Sequence, residues 1–154
     1  IIYGIILQGN KRGIIMLSMR IKLDKELIEK DGVYNYDELL VYLQDTIETM
    51  GAETWVDDYN YLHCDVYDWL YHPPCDEMGQ IYLWLRTIDW FGRYCLRWGL
   101  ISDYDLEYRK IKNGVYTEDL LATERSCNPL FTRGKSREEL ESYKPVDYGK
   151  GIFE

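Results

Sequence analysis

Glu53-Thr-Trp-Val-Asp-Asp-Tyr-Asn-Tyr-Leu-His-Cys-Asp-Val-Tyr-Asp-Trp-Leu-Tyr71 decides the fold of this chain, because two periods run through it. Trp55, Tyr59, Leu62, Val66 and Trp69 recur at helical spacing. Trp55, Tyr59, Tyr61, Tyr67, Trp69 and Tyr71 fall instead on one face of an extended segment. The reading adopted is a helix over 62–71, with a loop or strand before it and Pro73-Pro74 to end it.

On the N-terminal side the signals are plainer. Asn35 followed by Glu38 is a capping-box pattern, and Leu39, Leu40, Leu43, Ile47 and Met50 then repeat at helical spacing up to Gly51. This predicts a helix over Tyr36–Met50 with an acidic outer face. Asp31-Gly32 reads as a turn, Lys25 to Lys30 as a short helix, and the alternating Met19 to Asp24 as a strand. Ile1 to Leu7 and Ile14 to Leu23 flank Gly9–Gly13 as a β-hairpin pattern. A second reading of the same segment comes from codons. Lys11-Arg12-Gly13 is compatible with a ribosome-binding sequence ahead of Met16, and Tyr3 to Leu7 with a promoter element. Residues 1–15 are then a translated leader, and the natural start is Met16 or Met19 in an AT-rich bacterial or phage gene.

On the C-terminal side, Ile81, Trp84, Leu85, Ile88, Phe91 and Cys95 predict one long buried helix over Glu77–Trp98, capped by Asp76 and closed by Gly99. On that helix Arg86, Trp90, Arg93 and Arg97 share a face, which suits either an anion site or pairing with acidic neighbours. Ser102 caps a helix over Asp103–Ile111, Thr117 one over Glu118–Arg125, and Ser136 with Glu139 forms a capping box for Arg137–Tyr143. Residues 146–154 read as a loose tail. The whole predicts one α+β domain over 1–154, with a small N-terminal antiparallel β-sheet or hairpin packed on a mostly helical body.

Charge is unevenly laid down. Residues 31–85 carry twelve acids and no Lys or Arg, while 1–30 are net +3 and 86–154 net zero, so the −9 of the chain sits in one block. Fifteen Tyr and five Trp are threaded densely through it and beyond. An acidic chain lacks the clustered cations that neutralise phosphate, which disfavours direct nucleic-acid binding and anionic membranes. It favours basic partners. The competing explanation is a solvated face that serves solubility alone. No apolar run is long enough for a membrane span, and the four scattered cysteines suggest free thiols in a reducing cytoplasm.

Three chemistries are conceivable. His63, Cys64, His72 and Cys75 offer metal-ligand types, although the paired Cys-x-x-Cys knuckle is missing. Cys127 and Arg133 have the Cys-x5-Arg spacing of phosphotyrosine phosphatases, without the preceding His and with bulky Pro129, Leu130 and Phe131 in the loop. Asp57-Asp58, or Asp65 with Asp68, are paired carboxylates suited to acid–base or Mg²⁺ work. No phosphate loop, dinucleotide-binding glycine pattern or nucleophile elbow is present.

The expectation is therefore a cofactor-free, non-enzymatic inhibitor of phage or mobile-element origin. It would act as a nucleic-acid mimic of the anti-CRISPR or anti-restriction kind. Its partner would be a basic protein, a nuclease or other nucleic-acid-binding effector. Glu53, Asp57, Asp58, Tyr59, Tyr61, Asp65, Asp68 and Trp69 would form the contact face. The alternative is a small metal-stabilised structural or regulatory module built on His63, Cys64, His72 and Cys75.

Overall fold

The computed structural model describes residues 16–67, 75–102 and 116–144. Alternating apolar residues in β1 (Met16–Leu23) place Leu17, Met19, Ile21 and Leu23 on one side of the strand, all buried. β1 lies at the centre of a five-stranded antiparallel sheet of order β2-β3-β1-β4-β5, where β2 is Glu53–Val56, β3 Leu62–Tyr67, β4 Cys95–Ser102 and β5 Tyr116–Asp119. The helices are α1 (Lys25–Asp31), α2 (Tyr36–Thr49), α3 (Cys75–Leu85), α4 (Asp89–Tyr94), α5 (Leu120–Cys127) and α6 (Arg137–Ser142). The class is α+β. None of the described helices is long and apolar enough to cross a membrane.

The local signals between Asp24 and Gly51 hold, as does the one at Ser136. Asp24 caps α1 and Gly32 ends it in the left-handed region, at φ 67°. The Asn35 side chain accepts from the Glu38 amide at 3.0 Å and starts α2, and Gly51 follows it at φ 102°. The capping box at Ser136 and Glu139 is formed in both directions and starts α6.

Three expectations are corrected. Residues 62–67 are a strand, not a helix: β3 pairs with β1 through Ser18↔Asp65 and Arg20↔His63, and with β2 through Trp55↔His63. Those partners lie across the sheet, so no local period reports them. The long helix over Glu77–Trp98 is three elements, α3, α4 and β4. The break falls at Arg86-Thr87, where the Thr87 hydroxyl and amide both bond the Trp84 carbonyl, at 2.7 and 3.1 Å. Arg86 is drawn to buried Glu124 at 2.7 Å, and Ile88 is extended. Arg86, Trp90, Arg93 and Arg97 thus share no face. Finally, 116–119 is strand β5, and Asp119 rather than Thr117 caps the helix, accepting from the Ala122 amide at 3.0 Å. Residues 1–15 of the predicted hairpin, the helix over 103–111, and the tail from 146 lie outside the described residues.

One face of the sheet makes the core. Leu17, Met19, Ile21, Leu62, Cys64, Val66 and Trp98 join Leu39, Leu43 and Ile47 of α2, Ile81 and Leu85 of α3, and Phe91 of α4 in a single buried cluster. Gly92 is needed where α4 meets the 3₁₀ turn Pro129–Phe131. A Cβ there would come within 2.4 Å of the Leu130 carbonyl oxygen and 2.8 Å of its carbon. Gly92→Ala is expected to lower stability by about 1–3 kcal/mol through overpacking. An unchanged urea midpoint would show that the turn moves aside freely.

Candidate functional site

The other face of the sheet is polar and yet partly buried. Strand alternation sets Ser18 and Arg20 of β1, His63 and Asp65 of β3, and Trp55 of β2 on that side. The Ser18 hydroxyl donates to Asp65, and Arg20 Nη1 donates to the Ser18 oxygen and lies 3.4 Å from Asp65 Oδ1. The Trp55 indole donates to Asp65 Oδ2 at 3.0 Å, and its ring stacks on His63 with centroids 3.7 Å apart. His63 Nε2 lies 2.6 Å from Asp57 Oδ2. The other Asp57 oxygen accepts from the amides of Tyr59 and Tyr61, at 2.8 and 3.0 Å, which closes the β2–β3 turn.

Burial sets the proton affinities. It lowers the pKa of the Arg20 guanidinium, against the opposing charge of Asp65. It lowers that of His63 as well, against the Asp57 hydrogen bond, so the neutral ring is favoured. Burial pushes the Asp57 carboxyl up, but the bonds from His63, Tyr61 and Tyr59 outweigh it and hold the pKa below the ordinary value. Acid therefore works against the fold twice. The unfolded chain takes up a proton that the folded imidazole refuses, so stability is expected to fall as the pH drops below about 6.5. A second loss follows as the pH falls through the depressed Asp57 value. Urea midpoints across this range test it, and His63→Gln should flatten the first limb. A curve as steep in the variant would place the effect elsewhere.

The predicted contact residues thus divide. Glu53, Asp58 and Tyr59 are exposed. Asp57 is committed to His63 and the turn, and Asp65 and Tyr61 are buried. Asp68 and Trp69 lie outside the described residues. The structure adds acids that the contact set left out. Asp37, Glu38, Asp45 and Glu48 are exposed on α2 around Val41. From Glu38 to Glu48 that ridge runs about 15 Å, at a helical rise of ~1.5 Å per residue. It meets the sheet edge where Glu48 accepts from the Thr54 hydroxyl at 2.6 Å. Along its other flank Tyr42 packs against Trp84 and Trp90, and Tyr34 against Trp90, with centroids 5.9 to 6.3 Å apart. The helical period of α2 signalled this outer face; what it borders depends on α3, α4 and β2. Among the described residues, none of Asp37, Glu38, Asp45, Glu48, Glu53 and Asp58 is in an ion pair.

The other chemistries find less. His63 and Cys64 are neighbours on a strand and point to opposite faces, so they do not converge. Burial also pushes the Cys64 thiol far up. His72 and the Cys75 side chain lie outside the described residues, within which no three His, Cys, Asp or Glu groups could hold a metal ion. Cys127 ends α5, and its thiol donates to the Thr123 carbonyl at 3.3 Å. The following amides are consumed by the 3₁₀ turn: Leu130 bonds the Asn128 side chain, and Thr132 and Arg133 bond the Pro129 carbonyl. They form no cradle for phosphate. Asp57 and Asp58 diverge, one inward and one outward, and so are not an acid–base pair. Comparison with protein-family models, curated proteins and solved structures finds no match to this chain.

Proposed function

We propose that the chain is a cytoplasmic, non-enzymatic inhibitor that binds a basic protein and blocks its nucleic-acid groove. It would be a charge mimic of the anti-CRISPR or anti-restriction kind that a phage or mobile element would encode. The observation that carries this reading is the unpaired acidic ridge of α2, continued by Glu53 and Asp58 and flanked by exposed Tyr42 and Tyr34. Unpaired surface acids accelerate encounter with a basic groove, and aromatic side chains at the flank supply contact area at low entropic cost. Asp57, Asp65 and Tyr61 would act indirectly, by holding the β2–β3 turn that presents Asp58 and Tyr59.

The test is capture from bacterial lysate on the immobilised chain, at low and high salt, with elution by duplex DNA or guide RNA. A nucleic-acid-binding protein that salt weakens and nucleic acid displaces is the expected result. The variant Glu38→Lys/Asp45→Lys/Glu48→Lys alters only exposed positions, so it should fold and lose the capture. Capture by this folded variant equal to that of the unaltered chain would overturn the reading.

A further inference from the structure

Against the acidity of the chain, one cleft is lined by more cations than acids. It encloses about 500 Å³ between β4, α5 and α6. Arg97, Arg125, Lys135 and Lys144 line it, against two carboxylates, Asp24 and Glu139. Both carboxylates already serve as helix caps: Asp24 accepts from the Leu27 amide at 3.1 Å, and Glu139 from the Ser136 amide at 3.2 Å. Among the described residues none of the four cations is in an ion pair.

The arginines are held without being neutralised. The Arg97 and Arg125 guanidinium carbons lie 5.3 and 4.6 Å from the centroid of the Tyr143 ring. That ring is anchored by its hydroxyl, which donates to Asp119 at 2.6 Å. Arg125 Nε is buried and has no hydrogen-bond partner among the described residues. Among the described residues the Lys135 ammonium reaches only the Arg93 carbonyl, at 3.4 Å. Its pKa is lowered by burial and then by the charge of Arg125. An unsatisfied buried donor and a crowded set of cations cost stability unless an anion completes them.

We propose that this cleft binds a small molecule through a phosphate group. Four cations against two carboxylates match a dianion, and a planar guanidinium donates in a fork to the oxygens of phosphate. The volume also fits a small ligand.

Thermal unfolding of the full chain tests this with inorganic phosphate, with a nucleoside monophosphate, and with chloride at equal ionic strength. A saturable rise in Tm with phosphate or the ester, above the chloride control, is expected. Preference for the ester would identify an organic phosphate as the ligand, and equal response the phosphate group alone. Arg125→Gln and Lys144→Gln should each weaken the apparent affinity about tenfold, as expected for loss of one charge-assisted contact, while Lys30→Gln, in α1, should not. Lys144 is exposed, so its variant keeps the test valid if Arg125→Gln does not fold. No saturable rise, or equal affinity in the folded Lys144→Gln and Lys30→Gln variants, would overturn the proposal.

Discussion

Asp65→Ala is expected to cost about 3–5 kcal/mol of folding free energy, because it leaves the Arg20 guanidinium buried without its counter-charge. The Ser18 hydroxyl and the Trp55 indole lose their acceptor in the same step. Asp58→Ala, seven positions away and exposed, should stay within about 0.5 kcal/mol. Urea denaturation followed by far-UV circular dichroism separates the two. Asp65→Leu with Arg20→Met should recover most of the loss, since replacing both members of a buried pair by apolar groups is often neutral. If the single Asp65 variant unfolds at the midpoint of the unaltered chain, the polar face is hydrated enough to solvate Arg20, and Asp65 is not what stabilises that charge. The contrast also bears on any interface experiment. Reversing Asp57, Asp58, Asp65 and Asp68 together would abolish binding by unfolding the chain, whereas the α2 ridge can be reversed without that confusion.

The second large effect is at Trp98. This β4 side chain is fully buried, stacked on Phe131 with centroids 5.7 Å apart and on Tyr82 at 5.1 Å, and met edge-on by Phe91 at 5.1 Å. Trp98→Ala should cost about 3–5 kcal/mol through lost burial and the cavity left behind. Trp98→Phe should cost less than about 1.5 kcal/mol, as a smaller aromatic in the same site. It also removes the indole N–H, which is buried without a hydrogen-bond partner among the described residues. Equal losses in the two variants would mean that this N–H is satisfied in solution and that its bond, rather than ring packing, dominates.

What was legible in the sequence follows the range of the forces involved. The helix from Tyr36 was readable because its cap, period and stop lie within one short run of chain, from Asn35 to Gly51. Residues 62–67 were not, because helix and strand periods coincide there and the deciding partners, Ser18 and Arg20, are more than forty positions distant. The same distance hid the fate of Asp65, which looked like one more surface acid among twelve. Trp98 read as the last residue of a helix that in fact breaks at Arg86-Thr87, and it lies instead in β4. At the candidate site, the acidity of α2 could be read from its period. Its aromatic border could not, since Trp84 and Trp90 reach Tyr42 only through the turn between α3 and α4.

The outermost of the described strands, β2 and β5, are four residues each, and β2 carries Glu53 beside an exposed Trp55 and Val56. A short, charged margin of this kind is a poor template for a further strand from another molecule. The acids that would attract a basic partner therefore also keep copies of the chain apart. Mutating them to neutral residues leaves Trp55 and Val56 on an open sheet margin without that repulsion, so self-association should rise as the acidic charge is removed.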